Sequence, residues 1–323
     1  MGESAMWRLR VLGVLIAALV LVLAGLAGQP TGVQPARTAI RAAEEPPEAP
    51  PPPPPGPPVL AVKIDNAPAG RPPTGLEAAD LVHVEPVEAG ISRLIGVFAS
   101  EIPPVVGPVR SARQTDLRLL GQYGRPALAF SGAAPELLPE IHRAPVVAAS
   151  PREVPGAFYR GAGRPPHDLY VRTGRLPAGQ PWSPRFPLVF GAAPPGGVPT
   201  EAHEVRYRAA RIGFGWTEAE RGWRVSMDGE PYATADGTPV LASTVVLQHV
   251  RVTGSRIQDV GGNVSPFAET VGTGRAVVLR DGRAFEGTWS RPAPDAGTTY
   301  RSPAGEVLPF APGQVWVVLV PAG

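Results

Sequence analysis

The chain has 323 residues, a formal net charge of +2 and no cysteine. Without a thiol it can form neither a disulfide nor a thiolate metal site, and it lacks the residue that carries the lipid of a lipoprotein. Acidic and basic residues are interspersed, which argues against a nucleic-acid-binding surface. Lys63 is the only lysine beside many arginines, a bias that is typical of a GC-rich genome.

The N-terminal residues predict export. Arg8 and Arg10 precede an uncharged apolar run over residues 11–27, which is 17 residues long. This length suits a short membrane-spanning helix of about 17–25 residues and slightly exceeds the apolar part of a signal peptide. Basic residues before such a run stay cytoplasmic. Both interpretations, a signal anchor and a cleaved signal peptide, therefore place the remainder outside the cytoplasm.

Residues 28–58 read as a proline-rich spacer that contains the stretch EEPPEAPPPPPPGPPV. Proline has no backbone donor and a fixed φ, so such a stretch joins neither a helix nor a sheet and favours extended polyproline II. Residues 46–58 would reach about 40 Å at about 3.1 Å per residue. We therefore expect the folded part of the chain to begin near residue 59.

Residues 59–191 predict a mixed α/β domain. Short β-type runs are VLAVKID, DLVHVEPVE, SRLIGVFAS, PALAFSG and APVVAAS, and Pro86 predicts the end or edge of its strand. The stretches SARQTDLRLLGQYG and APELLPEIHRA have helical spacing of apolar residues. Strands that alternate with helices favour an α/β layer arrangement, whose strand order the sequence leaves open.

A linker over residues 192–203 leads to a predicted smaller, β-rich antiparallel domain over residues 204–323. Asp281-Gly282 lies between two alternating runs, a strong signal for a two-residue hairpin, and Asp228-Gly229 and Asp236-Gly237 mark further turns. The tryptophans of this region are expected in the core, with a glycan platform as the alternative. The predicted fold class is therefore α+β overall.

The strongest candidate site is the stretch VGPVRSARQ, which holds Arg110, Ser111 and Arg113. Ser111 and Gln114 match a capping box, which predicts a helix that begins after Ser111. The N-terminus of a helix attracts anions, and guanidinium groups bind phosphate or carboxylate through paired N–H donors. The stretch therefore predicts an anion-binding site.

Two alternatives remain open for these arginines. The negative charge could be internal, supplied by Asp65, Glu85 or Glu88, because buried arginines are normally paired. Glu85 and Glu88 could also act as a carboxylate pair in acid–base catalysis.

Other polar residues carry weaker signals. His83 alternates with valines on a strand, which favours a half-exposed structural histidine over a catalytic one. The loop RPPHDLYVR holds a histidine and an aspartate that could line a pocket. The remaining candidate ligand-binding residues are Asn66, Arg93, His167 and Asp168. The histidines show no metal-ligand spacing, so neither a metal nor a cofactor is predicted.

The motifs IDN, RPPTGLEAAD, EAGISR, GPVRSAR and PHDLY, in this order, resemble the YerB-like family of bacterial lipoproteins. The resemblance covers most of residues 59–320. It implies an exported protein of two domains whose biochemical function is unassigned. Two departures stand out: the chain has no cysteine to carry a lipid, and Asp168 replaces an asparagine of the family pattern.

The order of the first strands and the Ala-Asp between them also resembles the LytR-CpsA-Psr phosphotransferases. That resemblance would imply a membrane-anchored enzyme that binds a polyprenyl pyrophosphate through arginines and Mg²⁺. Asp65, Asp80, Arg110 and Arg113 would then be the candidates, although the Pro-Arg-Asp that marks that family is absent.

We therefore predict an extracytoplasmic, membrane-tethered binding protein of the cell envelope, which is anchored as a single pass or is secreted after cleavage. Its partner would be an anionic envelope ligand or an envelope protein. An enzyme acting on a phosphorylated or glycan envelope substrate is the alternative.

Overall fold

The computed structural model of the chain describes residues 57–182, 188–259 and 261–322, which belong to one compact unit. The predicted signal segment and most of the predicted spacer lie outside the described residues. Within these three ranges no helix is both long and apolar enough to cross a membrane.

Strands dominate the described residues. In the first half they are β1 (Leu60–Ile64), β2 (Leu81–Pro86), β3 (Ser92–Phe98), β4 (Val105–Val106), β5 (Ala127–Ala129), β6 (Val147–Ala149), β7 (Phe158–Arg160) and β8 (Leu169–Arg172). In the second half they are β9 (Val198–Pro199), β10 (Ala202–Tyr207), β11 (Ala210–Thr217), β12 (Gly222–Met227), β13 (Glu230–Pro231), β14 (Leu241–Ala242), β15 (Thr244–Val250), β16 (Val252–Gln258), β17 (Val264–Ala268), β18 (Gly272–Arg280), β19 (Arg283–Arg291), β20 (Thr299–Arg301) and β21 (Val315–Pro321).

The described ranges hold two α-helices, α1 (Gln114–Leu120) and α2 (Leu138–Arg143). Short 3-10 helices lie at Pro68–Gly70, Leu76–Ala78, Glu88–Gly90, Gly121–Tyr123, Pro155–Ala157 and Thr173–Arg175. Both α-helices appear within the two predicted stretches, but they contain only seven and six residues. The α+β class predicted from the sequence overestimated the share of helix, because only about half of each predicted helical stretch forms an α-helix.

One large sheet contains strands from both halves of the chain. Its order is β20-β19-β18-β15-β21-β2-β3-β1-β5-β6, and β9 pairs with β19. The last strand, β21, lies between β2 and β15 and runs parallel to both of them. Its sequence VWVVLVP is apolar at nearly every position, as is typical of a strand buried on both faces. The predicted antiparallel character of the second half therefore fails at β21.

The two faces of this sheet pack against different layers. On one face lies the five-stranded antiparallel sheet of β10 to β14, where Phe214 meets the buried Trp316 edge-on with ring centroids 6.0 Å apart. The other face packs against α1 and α2, and its apolar cluster includes aromatic residues of the edge strands β19 and β20. Trp223, Trp289 and Trp316 are buried, as predicted for core residues. The polar site described below lies at one end of the face that carries α1.

The predicted hairpin at Asp281-Gly282 is confirmed. Arg280 pairs with Arg283 across the turn, and Asp281 and Gly282 both have positive φ, at 49° and 67°. This is the backbone that a two-residue turn of type I′ requires. A Cβ on Gly282 would also lie 2.9 Å from the Trp216 indole nitrogen, so both backbone strain and close contact require glycine at this position.

We expect Gly282→Ala to lower the free energy of unfolding by about 1–2 kcal/mol, the cost of left-handed backbone for a residue with a Cβ. Urea denaturation measures the change. Gly215→Ala is the matched control, because Gly215 lies in β11 with no atom within 4 Å of a new Cβ. Its effect should stay within about 0.5 kcal/mol, and equal losses in the two variants would contradict this explanation.

His83 is buried, not half-exposed as predicted from its strand. It is 3% exposed, and its Nε2 lies 2.5 Å from the Tyr123 hydroxyl. Burial, together with the charges of Arg291 and Lys63, lowers the pKa of His83 from 6.5 to about 3. The alternation of the strand places His83 on the α1 face, and packing against the Tyr123 ring then excludes water.

The stability of the protein should therefore fall as the pH decreases below 6.5. Between pH 6.5 and about 3 the unfolded chain protonates His83 while the folded protein keeps it neutral. This residue then lowers the free energy of unfolding by up to about 1.4 kcal/mol per pH unit. His83→Phe should show a shallower dependence in urea denaturation across this window, and parallel curves for variant and wild type would contradict the assignment.

Candidate functional site

The site begins with three neighbouring strands that carry charged residues on one face. Glu85 of β2 pairs with Arg93 of β3, and the register of β3 with β1 places Asp65, just after β1, on the other side of Arg93. Lys63 lies two positions before Asp65, so it points to the same face. This face carries the apolar cluster against α1, and the charged residues lie at its end.

Lys63 is the buried centre of one half of the site. Its Nζ donates to Glu85 and, at 2.8 Å, to Asp116 of α1, and the side chains of all three residues are at most 1% exposed. Burial, opposed by the charge and hydrogen bond of Asp116, lowers the pKa of Lys63 to about 8. Two carboxylates therefore face one amine away from water, and neither is free to receive a ligand.

The helix start differs from the prediction. Arg113, not Ser111, is the N-cap of α1, and its backbone N–H donates to the Asp116 carboxylate at 2.7 Å. The Ser111 hydroxyl instead lies 3.3 Å from the Ser131 hydroxyl. The Asp116 carboxylate thus occupies the helix N-terminus at which the sequence predicted an anion-binding site. Asp116 caps the helix in place of Ser111 because the hydrogen bond from Lys63 holds the Asp116 side chain at the helix N-terminus.

Arg113 is also paired internally. Its Nε and Nη2 donate to the two oxygens of Glu88 at 2.7 and 2.8 Å, and Ser265 of β17 donates to the same carboxylate. Burial acts to raise the pKa of Glu88, but the hydrogen bonds and charge of Arg113, with the Ser265 hydroxyl, outweigh it and lower the pKa. The Ser265 contact joins this pair, which lies in the first half of the chain, to the second half.

Asp65 is the centre of the other half of the site. Its oxygens accept from the Ala67 backbone N–H at 3.0 Å and lie 2.6 Å from His167 Nδ1. The guanidinium groups of Arg93 and Arg110 lie 3.5 and 3.6 Å from it. Burial lowers the pKa of Arg93 to about 10, although the Asp65 charge opposes this shift. One carboxylate therefore serves two guanidinium groups and an imidazole.

The hydrogen bonding of Arg110 is incomplete. Its Nη1 donates to the Pro166 carbonyl at 2.8 Å, its Nε is buried without a hydrogen bond, and its Nη2 donates to no described residue. The side chains of Arg110 and His167 are 17% and 21% exposed. Both approach Asp65 Oδ2, so these two partly exposed groups lie side by side.

The remaining candidates serve the structure. Asn66 donates to Ser92 at 2.7 Å and receives Arg71, and Asp168 pairs with Arg160. His167, in contrast, contacts Asp65. The structure brings most of the predicted residues into one network: Asp65, Glu85, Glu88, Arg93, Arg110, Arg113 and His167.

Sequence reasoning missed two members of this network, Lys63 and Asp116. The signal for Lys63 was present, because it alternates with Asp65 on β1 and is the one lysine of an arginine-rich chain. Asp116 carried no comparable signal, since an aspartate three residues after the N-cap is common in helices and its partner lies 53 residues away.

Removing the Lys63 amine should destabilise the fold strongly. Lys63→Met would leave Glu85 and Asp116 buried without a counter-charge, which costs about 3–5 kcal/mol of unfolding free energy. Arg275→Met is the control, because Arg275 and Glu286 are 59% and 57% exposed and such a surface pair contributes about 0–1 kcal/mol. Urea denaturation compares the two, and a loss for Lys63→Met no larger than the control would refute the role of the buried amine.

Comparison with known proteins shows which family the chain resembles. Residues 49–181 match the N-terminal domain, and residues 203–317 the C-terminal domain, of the family "Protein of unknown function (DUF3048)". The chain is 25% identical over 279 residues to "Putative lipoprotein YerB" of Bacillus subtilis (strain 168), with 81% of each protein covered.

The crystal structure of YerB protein from Bacillus subtilis shares the fold, with a TM-score of 0.70 at 22% identity over 82% of this chain and 91% of that chain. The strand-dominated architecture described above is thus that of a solved protein. Together with the two domain matches, this shows that the chain belongs to the DUF3048 family, and it confirms the YerB-like resemblance of its motifs.

Proposed function

We propose that this chain is a non-catalytic binding protein of the bacterial cell envelope, exported and tethered by its N-terminal segment, which takes a small anion at Arg110 and His167. The anion is a phosphate or a carboxylate. The observation that carries the proposal is the incomplete pairing of Arg110, which is partly exposed and has a guanidinium nitrogen without a partner among the described residues.

The location rests on the sequence and on the relative. Arg8 and Arg10 before the apolar run of residues 11–27 favour export with the folded part outside, and the relative from Bacillus subtilis is named a lipoprotein. This chain has no cysteine, so attachment through the apolar peptide takes the place of a lipid. The N-terminal segment thus keeps the protein in the compartment where envelope ligands occur.

The distribution of charge supports an anion at Arg110 in place of Arg113. Glu88 fully occupies Arg113, and the Lys63 end of the network holds more carboxylates than cations. At the other end Arg93 and Arg110 share the carboxylate of Asp65 in their ion pairs with described residues. The network as a whole is balanced, but its positive excess lies where the side chains reach solvent.

His167 adds a second contact to the same place. Its Nδ1 is held by Asp65, which turns the opposite ring nitrogen away from that carboxylate. The Arg110 guanidinium suits an oxyanion with two or more oxygens, and His167 donates to the same anion from its opposite ring nitrogen when both ring nitrogens carry a proton.

The enzyme alternative has less support. Asp65 is surrounded by cations, and Asp80 accepts the backbone N–H groups of Ala99 and Ser100 at 2.6 and 3.0 Å. The described ranges contain no group of three histidine, aspartate or glutamate residues arranged to hold a metal ion. A transferase that works through Mg²⁺ would need a carboxylate that is not already engaged.

Titration calorimetry with inorganic phosphate and with acetate tests the proposal. The wild-type chain should bind at least one of the two anions, and Arg110→Gln should weaken that binding tenfold or more, because a charged hydrogen bond contributes about 1.5–3 kcal/mol. Arg160→Gln is the control, since Arg160 is 58% exposed and paired with Asp168.

The unfolding temperature of each variant separates binding from folding. Arg110→Gln should keep the wild-type value, whereas Arg113→Gln should lower it because Glu88 loses its partner. Failure of wild type to bind either anion at millimolar concentration, or unchanged affinity in Arg110→Gln, would refute the anion site.

A further inference from the structure

An apolar groove of about 700 Å³ lies beside the start of β1, between the ends of β4 and β8. Its walls are formed chiefly by Leu60, Ile102, Pro104, Val105, Leu176 and Pro177. Ile102 is 44% exposed, so its apolar side chain is accessible to a ligand. Among the described residues that line it, Arg172, the last residue of β8, is the one that carries a charge.

We propose that this groove binds a single acyl chain that carries a carboxylate, as in a long-chain fatty acid, with Arg172 holding the carboxylate. The size is in the range of sites that enclose small ligands, about 300–1,000 Å³. This site is independent of the anion site at Arg110, because the two sites share no residue.

The backbone of the groove favours hydrocarbon over peptide. Val59 N–H donates to Gln180, Thr173 N–H to Pro104 and Leu176 N–H to Thr173, at 3.0 to 3.1 Å. Three prolines of the lining have no N–H at all. A peptide would bring its own donors and acceptors into a groove that offers few partners, and each unmatched group carries a penalty. An acyl chain has no such groups.

The polar side chains of the lining are equally engaged, with one exception. The Thr173 hydroxyl donates to the Pro103 carbonyl at 2.5 Å. Arg172, in contrast, forms no salt bridge with any described carboxylate. Its positive charge at an apolar groove calls for a ligand with one anionic end, and this is why the proposal specifies a carboxylate.

The Arg172 guanidinium is held by an aromatic ring. Its guanidinium carbon lies 4.1 Å from the centre of the Tyr159 ring, and Tyr159 stacks on Tyr170 at a centroid distance of 5.8 Å. A guanidinium over an aromatic face keeps its N–H donors in the plane of the group, where they can bind a carboxylate bidentately. The tyrosines therefore restrict the motion of a cation that also lines the groove.

The groove and the anion site lie at opposite ends of β8. His167 precedes the strand and Arg172 ends it, and the strand alone extends over about 10 Å at about 3.3 Å per residue. A variant at one site therefore leaves the other in place, and the two proposals can fail separately.

Photo-crosslinking of the full chain with a diazirine-bearing palmitate tests the groove. After irradiation in detergent, mass spectrometry should find labelled peptides that contain Ile102 and Leu176, and unlabelled palmitate should compete with the label. Label on the apolar segment of residues 11–27 serves as an internal reference, because that segment needs no groove to bind an acyl chain.

Arg172→Gln should reduce labelling of the groove peptides at least fivefold relative to the reference segment, while Arg160→Gln on the neighbouring strand should leave it unchanged. Leu176→Asp should abolish it in a protein whose circular dichroism matches wild type. Methyl palmitate, which lacks the charge, should compete far more weakly than palmitate. Absence of label from the groove, equal competition by the ester, or undiminished labelling in Arg172→Gln would each overturn the proposal.

Discussion

The buried amine of Lys63 is the interaction on which the arrangement of the site depends. It lies between the carboxylates of Glu85 and Asp116, so it fixes the strand face and the start of α1 relative to each other. Through Asp116 the same interaction sets the helix N-cap at Arg113. Lysine can fill this place because a compact ammonium donates in three directions, whereas a planar guanidinium needs more room and partners in one plane.

The second constraint is the position of the last strand. β21 lies between β2 and β15 and runs parallel to both, so residues from the two ends of the described chain share one sheet. The Arg113–Glu88–Ser265 contact adds a polar link between the same halves. Both halves therefore contribute to the stability of the charged network, although most of its members come from the first half.

The arginines of this protein show why pairing decides what a cation can do. The carboxylate of Glu88 binds Arg113 bidentately, so the charge of Arg113 is neutralised within the fold. Arg110 shares a carboxylate with two other basic groups, and Arg172 has an aromatic ring in place of a carboxylate. The residue type is the same in all three cases, and the surrounding groups determine whether positive charge remains for a ligand.

The sequence by itself determined what depends on local chemistry. The preference of Asp and Gly for left-handed backbone determined the hairpin at Asp281-Gly282. Apolar runs indicated which segments form strands. Both effects act between near neighbours in the chain. Ordered motifs such as GPVRSAR were enough to indicate the family. Most charged residues of the site were also identified, although Lys63 and Asp116 were not, and the sequence already indicated that the identified residues could pair internally.

Only the tertiary structure determined which polar side chains pair with each other. Ser111 lost the cap of α1 to Arg113 and Asp116 because Lys63, 53 residues before Asp116, stabilises that carboxylate. His167 binds Asp65, which lies 102 residues away, and not its neighbour Asp168. Strand order, the parallel course of β21 and the groove at Arg172 likewise arise from contacts between distant segments. Local patterns carry no information on such contacts, because the free energy that selects them appears only when the segments pack together.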